Sequence, residues 1–115
     1  MKIAITYGKD HVLRPLDEAE IVGIYDSDKS VVEEYENPGY MRSKEFAMLY
    51  ILKEKPDAIV VKQGFLCPGS YAMSRGKLKY IITDKGMVEE LLEEIDNSST
   101  ASELDEEIYA ENEFE

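Results

Sequence analysis

The chain has 115 residues, 43% hydrophobic and 33% charged, which fits one globular domain around a single core. Thirteen bases against 25 acids give a net charge of −12, which argues against nonspecific binding to nucleic acid or anionic membrane. No apolar run reaches the roughly 18 residues of a membrane helix, the start reads as strand and not as a signal peptide, and one cysteine cannot form an internal disulfide, so a cytoplasmic protein is expected.

Residues 3–7 (IAITY) read as a first strand, ended by Gly8-Lys9-Asp10. Residues 8–18 form a loop. Residues 20–26 (EIVGIYD) and 30–36 (SVVEEYE) read as a second and third strand, hairpin-paired across Ser27-Asp28-Lys29. Asn37-Pro38-Gly39 is a stop. A helix follows from Met41 or Ser43 to Lys55, closed by Pro56. Phe46, Leu49, Tyr50 and Lys53 share one face of it, while Ala47, Met48, Ile51 and Leu52 widen the apolar stripe enough to press the helix into the core.

Residues 57–83 organise the rest. A buried strand at 58–61 (AIVV) runs into the turn Gly64-Phe65-Leu66-Cys67-Pro68-Gly69. A helix over 68–75 begins at Pro68, where a missing N–H costs little, and ends at Gly76. A strand at 79–82 follows, so the two strands are parallel with a right-handed crossover. A last helix spans 86–96, with Asp84 as a possible cap and Met87, Val88, Leu91, Leu92 and Ile95 as its apolar face.

Residues 97–115 hold seven acids and no Lys or Arg, an acidic tail beyond a domain of residues 1–96. The tail reads either as a disordered solubilising segment or as a short helix docked through Leu104, Ile108 and Tyr109. The order β-β-β-α-β-α-β-α predicts an α/β fold, a five-stranded mixed sheet with three helices on both faces and the first strand central. Four loops, 8–18, 37–42, 63–68 and 83–86, then share the carboxyl rim where open α/β sheets bind ligands.

The start MKIAI, Ile24-Tyr25-Asp26, Glu36-Asn37-Pro38-Gly39, Pro56-Asp57-Ala58-Ile59-Val60-Val61 and Gly64-x-x-x-Pro68-Gly69 occur in an order that resembles the dinitrogenase iron–molybdenum cofactor biosynthesis family. That family includes the nitrogenase cofactor carriers of NifX and NafY type and small archaeal and bacterial relatives. The resemblance covers residues 1–96. It implies a ribonuclease-H-like fold and binding of iron–sulfur or molybdenum-containing clusters. Where members carry a His-Phe-Gly-Arg-Ala-like motif, this chain has Pro15-Leu16-Asp17-Glu18-Ala19, and the loop after strand three reads Gly39-Tyr40-Met41-Arg42-Ser43.

Each candidate residue has two readings. Cys67, beside a helix start, is a low-pKa thiol suited to soft metals, or a small residue packing the turn. Gly64 and Gly69 frame a backbone nest for an anion or cluster, or a tight strand-to-helix turn. His11, the lone histidine, is a metal ligand or a solvated loop residue. Arg14 and Arg42 balance an anion on the rim, or form surface ion pairs. Tyr7 and Tyr40 border the same rim.

No catalytic triad or metal-hydrolase spacing is present, and the first strand lacks the carboxylate a two-metal nuclease needs. The expected function is therefore a non-catalytic binding or carrier protein, holding a small anion or, as the resemblance implies, a cluster. The alternative is an interaction module that engages a basic partner through its tail or a sheet edge.

Overall fold

In the computed structural model, which describes residues 1–110, β1 (Lys2–Tyr7) is the middle strand and is buried from Ile3 onward. Its one polar side chain in that run, Thr6, is satisfied by donating to the Arg14 carbonyl at 2.8 Å. β2 (Ile21–Asp26) pairs with β1 antiparallel, and β3 (Val31–Glu36) pairs with β2 in the same sense. β4 (Ala58–Val61) and β5 (Lys79–Ile82) extend the other side in parallel. The strand order is β3-β2-β1-β4-β5, a ribonuclease-H-like mixed sheet as predicted.

α1 (Lys44–Glu54) begins at Ser43, whose hydroxyl accepts the Phe46 N–H at 3.0 Å, and ends at Lys55 in the left-handed conformation before Pro56. α2 (Pro68–Ser74) joins β4 to β5. Both lie on one face of the sheet, where Tyr50 meets Tyr35 and Tyr71 meets Tyr80. α3 (Val88–Glu94) and a 3-10 turn at Ile95–Asn97 cover the opposite face, where Tyr25 donates to Asp96 at 3.2 Å.

Three expectations are corrected. The buried side of α1 is Ala47, Met48 and Ile51, while Phe46 and Leu49 are exposed at 40% and 51%. Gly39 lets the loop backbone press against Ala47, so the helix sits with its small residue inward. The last helix starts at Val88 and not Gly86, and Asp84 does not cap it. Residues 84–87 are held extended by the first loop: Leu13 donates to the Gly86 carbonyl and Val88 to the His11 carbonyl, both at 2.9 Å.

Residues 101–109 do not follow the solvated reading of the tail. Ala101 bridges Tyr80 on β5, Leu104 is buried, and α4 (Glu106–Tyr109) docks as the second reading has it. Tyr109 stacks on Tyr71 with ring centroids 4.1 Å apart. Four helical residues, two of them acidic, carry no readable periodicity, so α4 is missing from the predicted element order. Residues 111–115 of the predicted tail lie outside the described residues.

Candidate functional site

The rim is a real structural unit, and loop 8–18 is its hub. Leu13 bonds Gly86 and Leu16 bonds Phe65, so the loop reaches the segments after β5 and β4. Met41 donates to the Asp17 carbonyl at 2.8 Å, which ties in the loop after β3. Asn37 completes the seam. Its buried side-chain amide donates to the Leu16 and Ala19 carbonyls, both at 2.8 Å, and its oxygen accepts the Gly39 N–H at 2.9 Å.

Five of the six candidate residues are engaged with partners of the chain itself. Cys67 is buried, and its Sγ accepts the Ser70 N–H at 3.4 Å as the N-cap of α2. Gly64 adopts φ +85°, which explains the glycine, but its N–H donates to the Ile108 carbonyl at 3.0 Å. Gly69 serves helix packing: a Cβ there would meet Glu45 Oε2 at 2.5 Å. A carboxylate of the chain itself therefore already lies at the positive end of α2. Arg14 pairs with Asp10 at 2.6 Å inside its own loop. Arg42 lies over the Phe46 ring, 5.3 Å from its centroid. No group of three or more His, Cys, Asp or Glu is arranged to hold a metal among the described residues.

What the rim does present is His11. The residue takes a left-handed φ of 66° and closes the turn after β1 by donating its N–H to the Gly8 carbonyl. Its half-exposed ring meets Tyr7 edge-on, with centroids 5.8 Å apart, and Nδ1 contacts Glu89 Oε2 on α3. Hydrogen bonding to Glu89 raises the imidazole pKa, with smaller contributions from the Glu89, Glu34 and Asp10 charges; the same bond lowers the pKa of Glu89.

Tyr7 lies beneath. Its ring crosses Gly23 on β2, where a Cβ would meet the hydroxyl at 2.6 Å, and its hydroxyl donates to Glu34 on β3 at 2.8 Å. Burial raises its pKa far above the ordinary tyrosine value. Tyr40 is exposed and lines a hollow of about 200 Å3 with Lys9, Glu20, Glu36 and Asn37. A second rim hollow, of about 550 Å3, is walled by Asp84, Glu90, Glu93 and Glu94 with Lys85. An acidic wall of this kind disfavours anions.

Sequence reasoning missed Asn37 and Glu89 as partners of the rim. A glycine inside an otherwise apolar strand was a usable signal for the Tyr7 crossing. Glu89 offered none, because it is one of four glutamates on the solvated face of its helix.

The His11–Glu89 pair makes a testable contribution to stability. A raised histidine pKa stabilises the fold below the unfolded value of 6.5, and this is lost as pH rises through the folded value. A lowered Glu89 pKa stabilises above 4.5 and is lost as pH falls through its folded value. The urea midpoint of the wild type should therefore exceed that of Glu89→Gln most clearly between those titrations, and the gap should be smaller at a pH above the folded histidine titration. An equal gap at both pH values would remove the pair from the account.

No protein-family model matches the chain, and no curated protein does. Solved structures share its fold. A protein provisionally named a dinitrogenase from Methanocaldococcus jannaschii superposes with a TM-score of 0.66 at 17% identity, over 90% of this chain and 97% of that one. A protein provisionally named NifB, from Thermotoga, gives 0.69 at 16% identity, over 90% and 96%. The apo form of the orange protein from Desulfovibrio gigas gives 0.70 at 14% identity, over 89% and 93%. The chain thus has the α/β fold of these proteins across nearly its whole described length. Among the described residues, no helix is long and apolar enough to cross a membrane.

Proposed function

We propose that this chain is a small non-catalytic binding protein of the carrier type, and that its ligand sits on loop 8–18 at His11. One geometric observation carries the reading: an exposed imidazole whose Nδ1 is held by a carboxylate, Glu89. Metal-ligating histidines are oriented in this way, with the proton fixed on one nitrogen and the lone pair presented on the other. Nε2 has no hydrogen-bond partner among the described residues.

The sequence resemblance names the ligand class, an iron–sulfur or molybdenum-containing cluster, and the fold likeness to the nitrogenase-related proteins and the orange protein agrees with it. A single histidine leaves the other coordination positions to sulfide or a second protein. Cys67 takes no part, because its sulfur is buried in the α2 cap.

Anaerobic reconstitution with iron and sulfide tests this. Visible absorption should form on the wild type and on Cys67→Ser and be lost in His11→Ala. Glu89→Gln should weaken binding by about tenfold or more. Absorption that depends on Cys67, or none on any variant, would count against the reading.

A second reading is an interaction module without a cofactor. It is favoured by the internal partners of Gly64, Gly69, Arg14 and Arg42. The surface that fits a basic partner is then the outer edge of β3, with exposed Glu33, Glu34 and Glu36.

A further inference from the structure

The two edges of the sheet differ in chemistry. β3 ends one side and carries three glutamates in six residues. Two copies of this edge would set Glu33, Glu34 and Glu36 against one another. β5 ends the other side with Lys79-Tyr80-Ile81-Ile82, which has no acid, one lysine and two β-branched residues. An edge of that composition is a ready template for another strand.

Its hydrogen-bonding directions are readable. Lys79 donates to the Asp57 carbonyl at 3.0 Å and Thr83 to the Val61 carbonyl at 3.1 Å, so alternate residues of β5 face β4. Tyr80 and Ile82 therefore face outward. Tyr80 is covered: it exchanges both bonds with Ala101, at 2.8 and 2.9 Å. Ile82 is 54% exposed.

Ala101 is held in place by the segment that follows it. Leu104 is buried and its N–H donates to the Tyr71 hydroxyl at 3.1 Å. Glu103 pairs with Arg75 at 3.2 Å, the Ile108 carbonyl takes the Gly64 N–H, and Tyr109 stacks on Tyr71. The polar residues Ser98-Ser99-Thr100 link this strap to the 3-10 turn at Ile95–Asn97.

We propose that residues 101–109 are a strap that keeps the β5 edge closed, and that the partner of the opened edge is a second copy of this chain, joined β5 to β5. An antiparallel pair centred on Ile81 places Tyr80 opposite the partner's Ile82, so that both outward-facing residues exchange N–H and C=O bonds. Lys79 then faces Thr83, and no like charges oppose. The strap and the second copy compete for the same Tyr80 groups, so release of one permits the other.

The test uses the full chain. Wild type, Leu104→Asp and Tyr109→Ala are weighed by sedimentation, with exchange at the Tyr80 and Gly64 amides followed by NMR. The wild type should have the mass of one chain with both amides protected. The two variants should lose protection at Gly64 and double in mass, and adding Ile82→Pro, which removes an outward N–H, should return them to one chain. A released strap on a chain that stays single would overturn the proposal. So would a dimer indifferent to Ile82→Pro, a wild type that is already a dimer, or amides still protected in both anchor variants.

Discussion

Asn37→Leu is expected to lower the unfolding free energy by about 3 kcal/mol. The amide is buried, and it satisfies two carbonyls of the first loop and the Gly39 N–H at once. Leucine has similar bulk but no polar atom, so three groups lose their partners. Each buried group left unsatisfied costs about 1–3 kcal/mol, reduced where water can enter. The loop that carries His11 is anchored by this side chain, so its amides between residues 16 and 19 should also exchange faster. A urea midpoint equal to that of the wild type would mean that the seam between the first and third loops holds without Asn37.

Gly39→Ala should cost a comparable amount for a different reason. No positive φ is involved, so the backbone itself accepts alanine. The added methyl would meet the Ala47 nitrogen and Cβ at 2.5 Å and its Cα at 2.6 Å. These are atoms of α1 itself and cannot rotate away as a flexible side-chain tip could. Either α1 shifts or the loop lifts, and overpacking of this kind costs about 3 kcal/mol at its upper range. Gly64→Ala is the useful contrast. It faces open space, so its penalty is that of a left-handed backbone alone, about 1 kcal/mol. Equal losses at the two glycines would contradict the steric account.

The stretch Glu36-Asn37-Pro38-Gly39, on which the sequence resemblance partly rests, thus has a structural use. The asparagine locks the first loop and the glycine admits the helix. The same division explains what could be read from the residues. Strand composition and helix periodicity reach the mixed five-stranded sheet and the central place of β1, because burial on both faces leaves an unbroken apolar run at residues 3–5. Four loops on one rim follow from strand direction alone.

Side-chain partners do not follow. Arg14 could face an anion or Asp10, and only the fold of its own loop decides. Cys67 stands at a helix start as read, yet its sulfur points into the cap and not outward. The strap was legible only as a possibility, because an acidic, low-periodicity segment gives no local sign that Tyr71 lies ready to stack on Tyr109. Glycines carried the most information and the most ambiguity: Gly64 is conformational, while Gly23, Gly39 and Gly69 mark close approaches by Tyr7, Ala47 and Glu45.

The proposed binding role of His11 can be tested on one signal, since the chain has a single histidine and so a single imidazole Hε1 resonance. In the free protein that resonance should titrate above pH 6.5, held up by Glu89. Anaerobic addition of iron and sulfide should shift or broaden it and abolish its titration, as the lone pair is taken by metal. A coloured protein whose His11 resonance still titrates as in the free chain would contradict a ligand at His11.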